Sequence, residues 1–287
     1  MKTVLTHDGD FHADEVCAIA ILKIVYPKIK VIRSRDLKKH SKANIFVDVG
    51  LKYDPKKNYF DHHQIKGAGK RKNNIPYSSA GLVWKHFGKK ITKSKDVFEM
   101  IDQRLIQTID AEDNGIQMQS SQGNFIPYTL SSIIFNFGKF GSKNDVKIFN
   151  EAVNLIKVIL EREISYLEKM EKDKKIVQKI IKKSVSKEYV VLDRNYNWFS
   201  AVEDFPKLKY VISPKSNGYW SLKAVDKKGT IFNCKKLLPK SWAGLNEKEF
   251  EEICGVKDVL FCHKNLFLVV AKFKESVIKL AELAIKA

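Results

Sequence analysis

Two hydrophobic periods alternate along the chain. In the first third, residues 2–6 (KTVLT), 29–33 (IKVIR), 44–49 (NIFVDV) and a short segment starting at 59–60 have the length and β-branched character of buried strands. Between them, residues 13–25 (ADEVCAIAILKIV) carry apolar positions at helical spacing. Asp14 and Glu15 fall in the first turn, where the helix dipole favours acids. Strands alternating with helices predict an α/β fold, with a mainly parallel sheet and helices on both faces. Residues 64–77 (QIKGAGKRKNNIPY) are Gly-rich, basic and polar, and read as a mobile loop.

From 78 to about 187 the pattern is helical, with one run over 97–109 and the longest over 143–187, the latter with room for a break. That run exceeds an ordinary buried helix and predicts a helix bridging two domains. After 188 the character changes. YVVLD, YVISPKSNGYWSLKAV and DVLFCHKNLFLVVA read as strands, Asn217-Gly218 as a hairpin turn, and 247–254 and 273–286 as helices. The expected organisation is therefore an α/β domain over 1–150, a bridging helix over 151–187 and a smaller α+β domain over 188–287.

Composition narrows the class. Of 287 residues, 44% are hydrophobic and 30% charged, which suits a packed core and argues against long disorder. No run of 18 apolar residues occurs, so no membrane span is expected. The opening residues hold neither an apolar signal core nor an Arg-rich leader, and a cytoplasmic location is expected. The four cysteines form no C-x-x-C pair, which argues against a disulfide framework or a thiolate zinc site. The net charge of +19 makes a polyanion the first partner to consider. Only 6 of the 52 basic residues are Arg, the better phosphate fork, so charge alone does not decide the partner.

Position is more informative than charge. Three polar clusters each abut a short apolar strand: HDGDFHADE after KTVLT, Asp48 at the end of IFV, and Asp61-His62-His63 after NYF. In open parallel sheets, ligands bind outside the carboxyl ends of the strands, so the clusters can converge there. A fourth, Asp110 and Asp113 in IDAEDNG, ends a helical run. Two like charges 4 Å apart repel by about 4 kcal/mol at an effective dielectric near 20, so crowded carboxylates need a cation. Mixed Asp and His ligands make Mn²⁺ the expected ion, with Mg²⁺, Fe²⁺ or Zn²⁺ as alternatives. Two such ions would activate a water and stabilise a phosphoryl displacement.

These residues resemble the DHH phosphoesterase superfamily through Asp61-His62-His63, and more narrowly the MYG exonuclease family, also called metal-dependent protein hydrolases. The matching segments are THDGDFHADEV, VIRSRD (31–36), FVDVG (46–50), YDP (53–55), DHHQ (61–64), SSAGLVW (78–84) and IDAEDNG (109–115). WAGL (242–245) and the FCH of 261–263 extend the likeness toward the C-terminus.

The resemblance implies metal ligation by His7, His12, Asp14, Asp48 and His62, with Asp48 bridging two ions. Asp110 or Asp113 completes the set; Asp110 is preferred because it ends the apolar run and Asp113-Asn114-Gly115 is turn chemistry. His63 resembles the neighbour that contacts phosphate; His63, Asp61 and Arg35 are the expected catalytic residues. Asp8 and Asp10 match no fixed position. The second domain resembles a substrate-binding domain, but the usual Gly-rich turn before a His is missing from HKNLFLVVAKF, leaving His263, Lys264 and Lys272 as candidates.

Simpler roles compete with some of these. Ser78 and Ser79 precede a helix and can cap it or bind phosphate. Lys66, Lys70, Arg71 and Lys72 are either a solvated loop or guides for a phosphate chain. Cys17, Trp84 and Trp242 read as core, and His40 and His86 as surface or packing residues. Trp220, beside Tyr219, keeps a base-stacking role open. Altogether the resemblance implies a metal-dependent phosphodiesterase, a 3′–5′ exonuclease on single-stranded RNA or short oligonucleotides. The alternatives are a small-molecule phosphatase, such as a pyrophosphatase or nucleotide phosphatase, on the same scaffold, and a non-catalytic RNA-binding protein with a structural metal. Amide hydrolysis ranks below these.

Overall fold

A computed structural model describes residues 1–116, 127–139, 146–230 and 232–287. The chain forms two compact units, Met1–Glu168 and Lys169–Ala287. It is a mixed α/β protein with one five-stranded sheet in each unit.

In the first unit, the apolar runs form β1 (Lys2–Thr6), β2 (Ile29–Arg33), β3 (Ile45–Val47), β4 (Tyr53–Asp54) and β5 (Tyr59–Phe60). Their order is β2-β1-β3-β5-β4. All pairs are parallel except β4 with β5. β4 was not anticipated; YD is too short to show a period. β3 is shorter than the expected 44–49 because Asp48 adopts a left-handed φ of 55°, which ends the strand.

Register does the positioning. Leu5 pairs with Phe46, Val47 with Phe60, and Thr6 with Arg33. His7, Asp48 and Asp61 therefore leave three neighbouring strands at one level, about 5 Å apart strand to strand. Helix α1 (Ala13–Val25) has every residue from Ala13 to Leu22 buried, Asp14 and Glu15 included. A helix that is apolar nearly all round is a core helix, so these two acids are carried inside by their neighbours.

Helix α2 (Ser79–Phe87) packs on α1. It is followed by α3 (Lys95–Ile101), a π-helical stretch (Asp102–Ile106) and α4 (Gln107–Asp113) as one continuous rod. Trp84 is buried and stacked on Phe98 at 5.3 Å, as its core reading requires. Cys17 is likewise buried. His86 is exposed, with its ring edge against Phe60; the His40 side chain lies outside the described part.

The 64–77 loop is tied down rather than loose. Lys70 bridges Pro76, Tyr77 N donates to Gly69 O, and Arg71 is buried between Asp102 and Asp110. After α5 (Leu130–Lys139), helix α6 (Val146–Lys183) is unbroken and crosses the boundary between units. It stops short of 187, where the Ser186 hydroxyl takes the Glu188 and Tyr189 N–H groups and turns the chain into a strand. Residues 143–145 of the expected run lie outside the described residues.

The second unit orders β6 (Tyr189–Val191), β7 (Tyr210–Pro214), β8 (Trp220–Ala224), β10 (Leu268–Ala271) and β9 (Val259–Cys262) in that sequence across its sheet. β7 and β8 form the hairpin, with Gly218 at φ 84° in its turn. The sheet packs with α7 (Glu247–Cys254) and α8 (Lys274–Lys286) around Trp242, Phe250 and Leu280. Trp220 is half-buried under Lys274. Among the described residues, no helix is long and apolar enough to cross a membrane.

Gly81 on α2 sits against Asp110, and an added Cβ would fall inside that carboxylate. Removing a helix-interior glycine gains about 1 kcal/mol, but forcing a buried group aside costs about 1–3 kcal/mol. Asp110 is held by several hydrogen bonds and cannot yield cheaply, so the cost dominates. Gly81→Ala is expected to lower the urea midpoint of unfolding; an unchanged or raised midpoint would contradict this packing.

Candidate metal centre

The strand ends, the start of α1 and the end of α4 bring eight ligand-type side chains together. Three groups have mutually close donor atoms: His7, His12, Glu15 and Asp48; Asp48, His62 and His63; and His12, Asp14 and Asp113. Asp48 belongs to two of them. Its Oδ2 lies 3.3 Å from His7 Nε2, and its Oδ1 lies 3.5 Å from His62 Nε2 and 3.2 Å from His63 Nδ1. His62 Nε2 is also 3.1 Å from Asp113 Oδ2 and 3.8 Å from Asp14 Oδ2. The left-handed backbone at Asp48 is a strained conformation for a non-glycine residue, at the point the candidate ligand groups share.

A second layer aims these groups. His12 N donates to Glu15 as part of a capping box, at 3.0 Å to each carboxylate oxygen. Ser79 Oγ donates to Asp48 Oδ1 at 3.0 Å, and Ser79 N to Asp14 Oδ2 at 3.3 Å. Asp61 accepts from Leu51 N and His63 N, and pairs with the His63 ring at 3.0 Å.

The donor set fits a cation. The His7 Nδ1 contact is a backbone carbonyl, Asp8 O at 2.9 Å, so Nδ1 carries a proton. In the neutral ring Nε2 is then a bare lone pair, set against the carboxylates of Asp48 and Glu15 at 3.3 and 3.4 Å. Lone pairs facing each other require a proton or a metal between them, and an imidazole held this way by its other nitrogen is the usual metal-ligand arrangement. His7 Nε2, His62 Nε2, Asp14 Oδ1 and Asp113 Oδ2 are all buried with no hydrogen-bond partner among the described residues.

The protonation equilibria agree. Burial, then the charges of Asp48 and Asp113, pushes Asp14 well above the ordinary carboxylate range. Burial pushes Glu15 up to about 7, and burial with the Asp48 charge pushes Asp113 up to about 6. Asp48 remains ionised despite its burial because the His63 and His7 rings face it. Contacts with Asp48 and Asp61 raise His63 to about 10. Burial lowers His62 and His12. Without another cation, these carboxylates capture protons instead.

Not every expected residue joins the cluster. Asp110, the preferred last ligand, is fully engaged elsewhere. Its Oδ1 accepts Ser78 N (3.1 Å), Ser78 Oγ (2.5 Å) and Gly81 N (3.0 Å), and its Oδ2 pairs with Arg71. Asp113, one helical turn on, is the one brought to His62. Ser78, Ser79 and Arg71 are buried and committed to these carboxylates rather than presented to a substrate. Lys70 is exposed on the loop. Arg35 is exposed, donates to Asp8 O at 2.9 Å, and lines a cavity of about 400 Å³ with Asp48, Asp61 and His63.

His263 and Lys264 lie in the β9–β10 turn of the second unit. The His263 ring rests on Phe267 and accepts Asn265 N, and Lys264 is exposed. Glu15 was missed as a ligand candidate. An acid in the first turn of a helix reads as dipole chemistry, and only its burial beside His7 distinguishes it.

The sequence matches the MYG1 exonuclease family model, described as an uncharacterised protein family (UPF0160), over residues 3–285. The MYG1 protein of Dictyostelium discoideum is 31% identical over 312 residues, covering 97% of this chain and 95% of that one. The MYG1 exonuclease of Homo sapiens is 26% identical over 315 residues, covering 96% and 84%. Among solved structures, a pGpG-specific phosphodiesterase, PggH from Vibrio cholerae, aligns over 100% of this chain and 98% of its own, at 16% identity and a TM-score of 0.34. With a family match that leaves out only the first two and last two residues, this chain belongs to the MYG1 exonuclease family and is a hydrolase.

Proposed function

We propose that this chain is a divalent-metal-dependent phosphodiesterase of the DHH type, which removes nucleotides 3′–5′ from single-stranded RNA or short oligonucleotides. One observation carries the reading: ligand groups sharing Asp48 converge where strand ends meet, with buried lone pairs that no hydrogen bond among the described residues satisfies. The names of the curated relatives support phosphodiester chemistry. His7, His12, Glu15 and Asp48 would hold one ion, and Asp14, Asp48, His62 and Asp113 a second, with Mn²⁺ favoured by the mixed imidazole and carboxylate set. When bound, such ions supply Lewis acidity toward the phosphate and an activated water.

The protein's own groups do the rest. Arg35 offers a guanidinium fork to a phosphate at the rim of its cavity. His63, held positive beside Asp48 and Asp61, gives the same cavity a second cation, and Asp61 fixes its ring. The net charge of +19 draws a polyanion toward the surface. Two domains joined by one helix suit a division between a catalytic part and a substrate-binding part carrying His263 and Lys264. A small-molecule phosphatase is the second reading, because a cavity of about 400 Å³ is also the size of a mononucleotide or pyrophosphate site.

Asp48→Asn keeps the side chain's shape and removes its charge. Turnover of a 5′-labelled short RNA with Mn²⁺ is expected to fall by at least about 100-fold, with thermal stability in EDTA maintained. Wild-type protein with EDTA should match the mutant. Full activity in Asp48→Asn would sink the assignment, and exclusive turnover of pyrophosphate or mononucleotides would establish the second reading.

pH supplies another test. Glu15 and Asp14 have folded-state values above their unfolded ones, so their stabilising contribution is complete at low pH and is lost as pH rises through the folded values. The melting temperature in EDTA should therefore fall between about pH 5 and 8. Mn²⁺ competes with those protons, so the stabilisation it confers should grow over the same range. A Mn²⁺-induced shift that shrinks as pH rises would contradict the ligand set.

A further inference from the structure

We propose that a second cavity in the Met1–Glu168 unit receives the 3′-terminal ribonucleoside of the substrate, and that Glu112 selects a free terminal diol over a terminal phosphate. This rests on the phosphodiesterase reading above and adds what the site takes and in which direction. The cavity measures about 410 Å³ and shares no lining residue with the one beside Arg35. His12 and Asp113 belong both to its wall and to the ligand cluster, so an occupant lies directly beside the reacting phosphate.

The remaining wall has two characters. Phe135, exposed on α5, provides an apolar surface, with Phe11 behind it buried between Phe149 and the Arg33 guanidinium. Glu112 and Ser132 provide a polar one. Glu112 Oε2 accepts Ser131 Oγ at 2.6 Å, which fixes the carboxylate and leaves Oε1 for a donor from the occupant. A carboxylate only accepts, so the occupant must bring hydroxyl or amino protons. A nucleoside has both features: a base that stacks on an aromatic ring and ribose hydroxyls that a carboxylate binds well.

Charge sets the direction. Glu112 puts a carboxylate that the ligand cluster does not use on this wall, in a protein whose net charge is +19. Phosphate is therefore disfavoured here and favoured beside Arg35. Within an RNA strand every internal nucleoside carries a phosphate at its 3′ oxygen; only the 3′ end has a free 2′,3′-diol. A volume of about 410 Å³, at the lower end of small-ligand pockets, fits one such nucleoside.

The test compares two fluorescent tetraribonucleotides, identical except for a 3′-hydroxyl or a 3′-phosphate, on wild type and Glu112→Gln. The glutamine keeps an acceptor for Ser131 and loses the charge. In wild type with Mn²⁺, kcat/KM for the 3′-phosphate oligonucleotide is expected to be at least about tenfold lower, and Glu112→Gln to bring the pair within about threefold. Fluorescence polarisation of the same oligonucleotides in EDTA should show the same preference and its loss. Equal handling of both by wild type, or discrimination undiminished in Glu112→Gln, overturns the proposal while leaving the phosphodiesterase reading intact. If wild type cleaves neither, that reading fails, and the binding comparison still decides whether Glu112 discriminates.

Discussion

Three carboxylates buried around one point, Asp14, Glu15 and Asp48, are the constraint on which the rest of this fold depends. Burial alone would protonate them or expel them. The chain resists both by geometry. Asp14 and Glu15 ride on a helix whose following residues are core, and Asp48 is set at the end of a central strand. The histidines facing them offer lone pairs and partial charge, but not enough protons to satisfy every oxygen. What remains is an appetite for cations, held in place by apolar packing some distance from the site itself.

Behind that layer, a second set of polar groups keeps the first in position. Ser79 ties Asp14 and Asp48 to the start of α2. Asp110 holds the same helix start through Ser78 and Gly81, and Arg71 closes the network with Asp102 on the neighbouring π-helical stretch. The loop after the Asp61-His62-His63 cluster is thus anchored to the rod that carries Asp113. A buried ion pair is weak evidence of stability, since breaking one partner is costly but replacing both is often neutral. Here the pair ties two ligand-bearing segments together.

Much of this was legible in the residues, and the failures have identifiable causes. Strands β1, β2 and β5 and helix α1 follow from apolar periodicity, and clusters at strand ends point to a shared site because a parallel sheet lines up its carboxyl ends. Periodicity cannot tell which of two acids three apart on a helix faces the site. Asp110 turns to Ser78 and Arg71, and Asp113 to His62, for reasons of tertiary contact. The sequence leaves Arg71 and the two serines open between local roles and phosphate binding, because basic and hydroxyl residues after such a motif suit either. Their burial, invisible locally, makes them supports. Glu15 escapes a reading of the sequence because its position is equally good helix chemistry, and the family resemblance rests on motif order rather than any single triplet.

The central claim, that the shared Asp48 organises two cation sites, is tested most directly by counting ions. Chelator-stripped protein would be titrated with Mn²⁺ and the free ion followed by electron paramagnetic resonance. The account predicts two ions bound per chain, one lost in His7→Ala, the other in His62→Ala, and both weakened in Asp48→Ala. Wild type that binds no Mn²⁺, or Asp48→Ala that binds it as wild type does, would contradict the account.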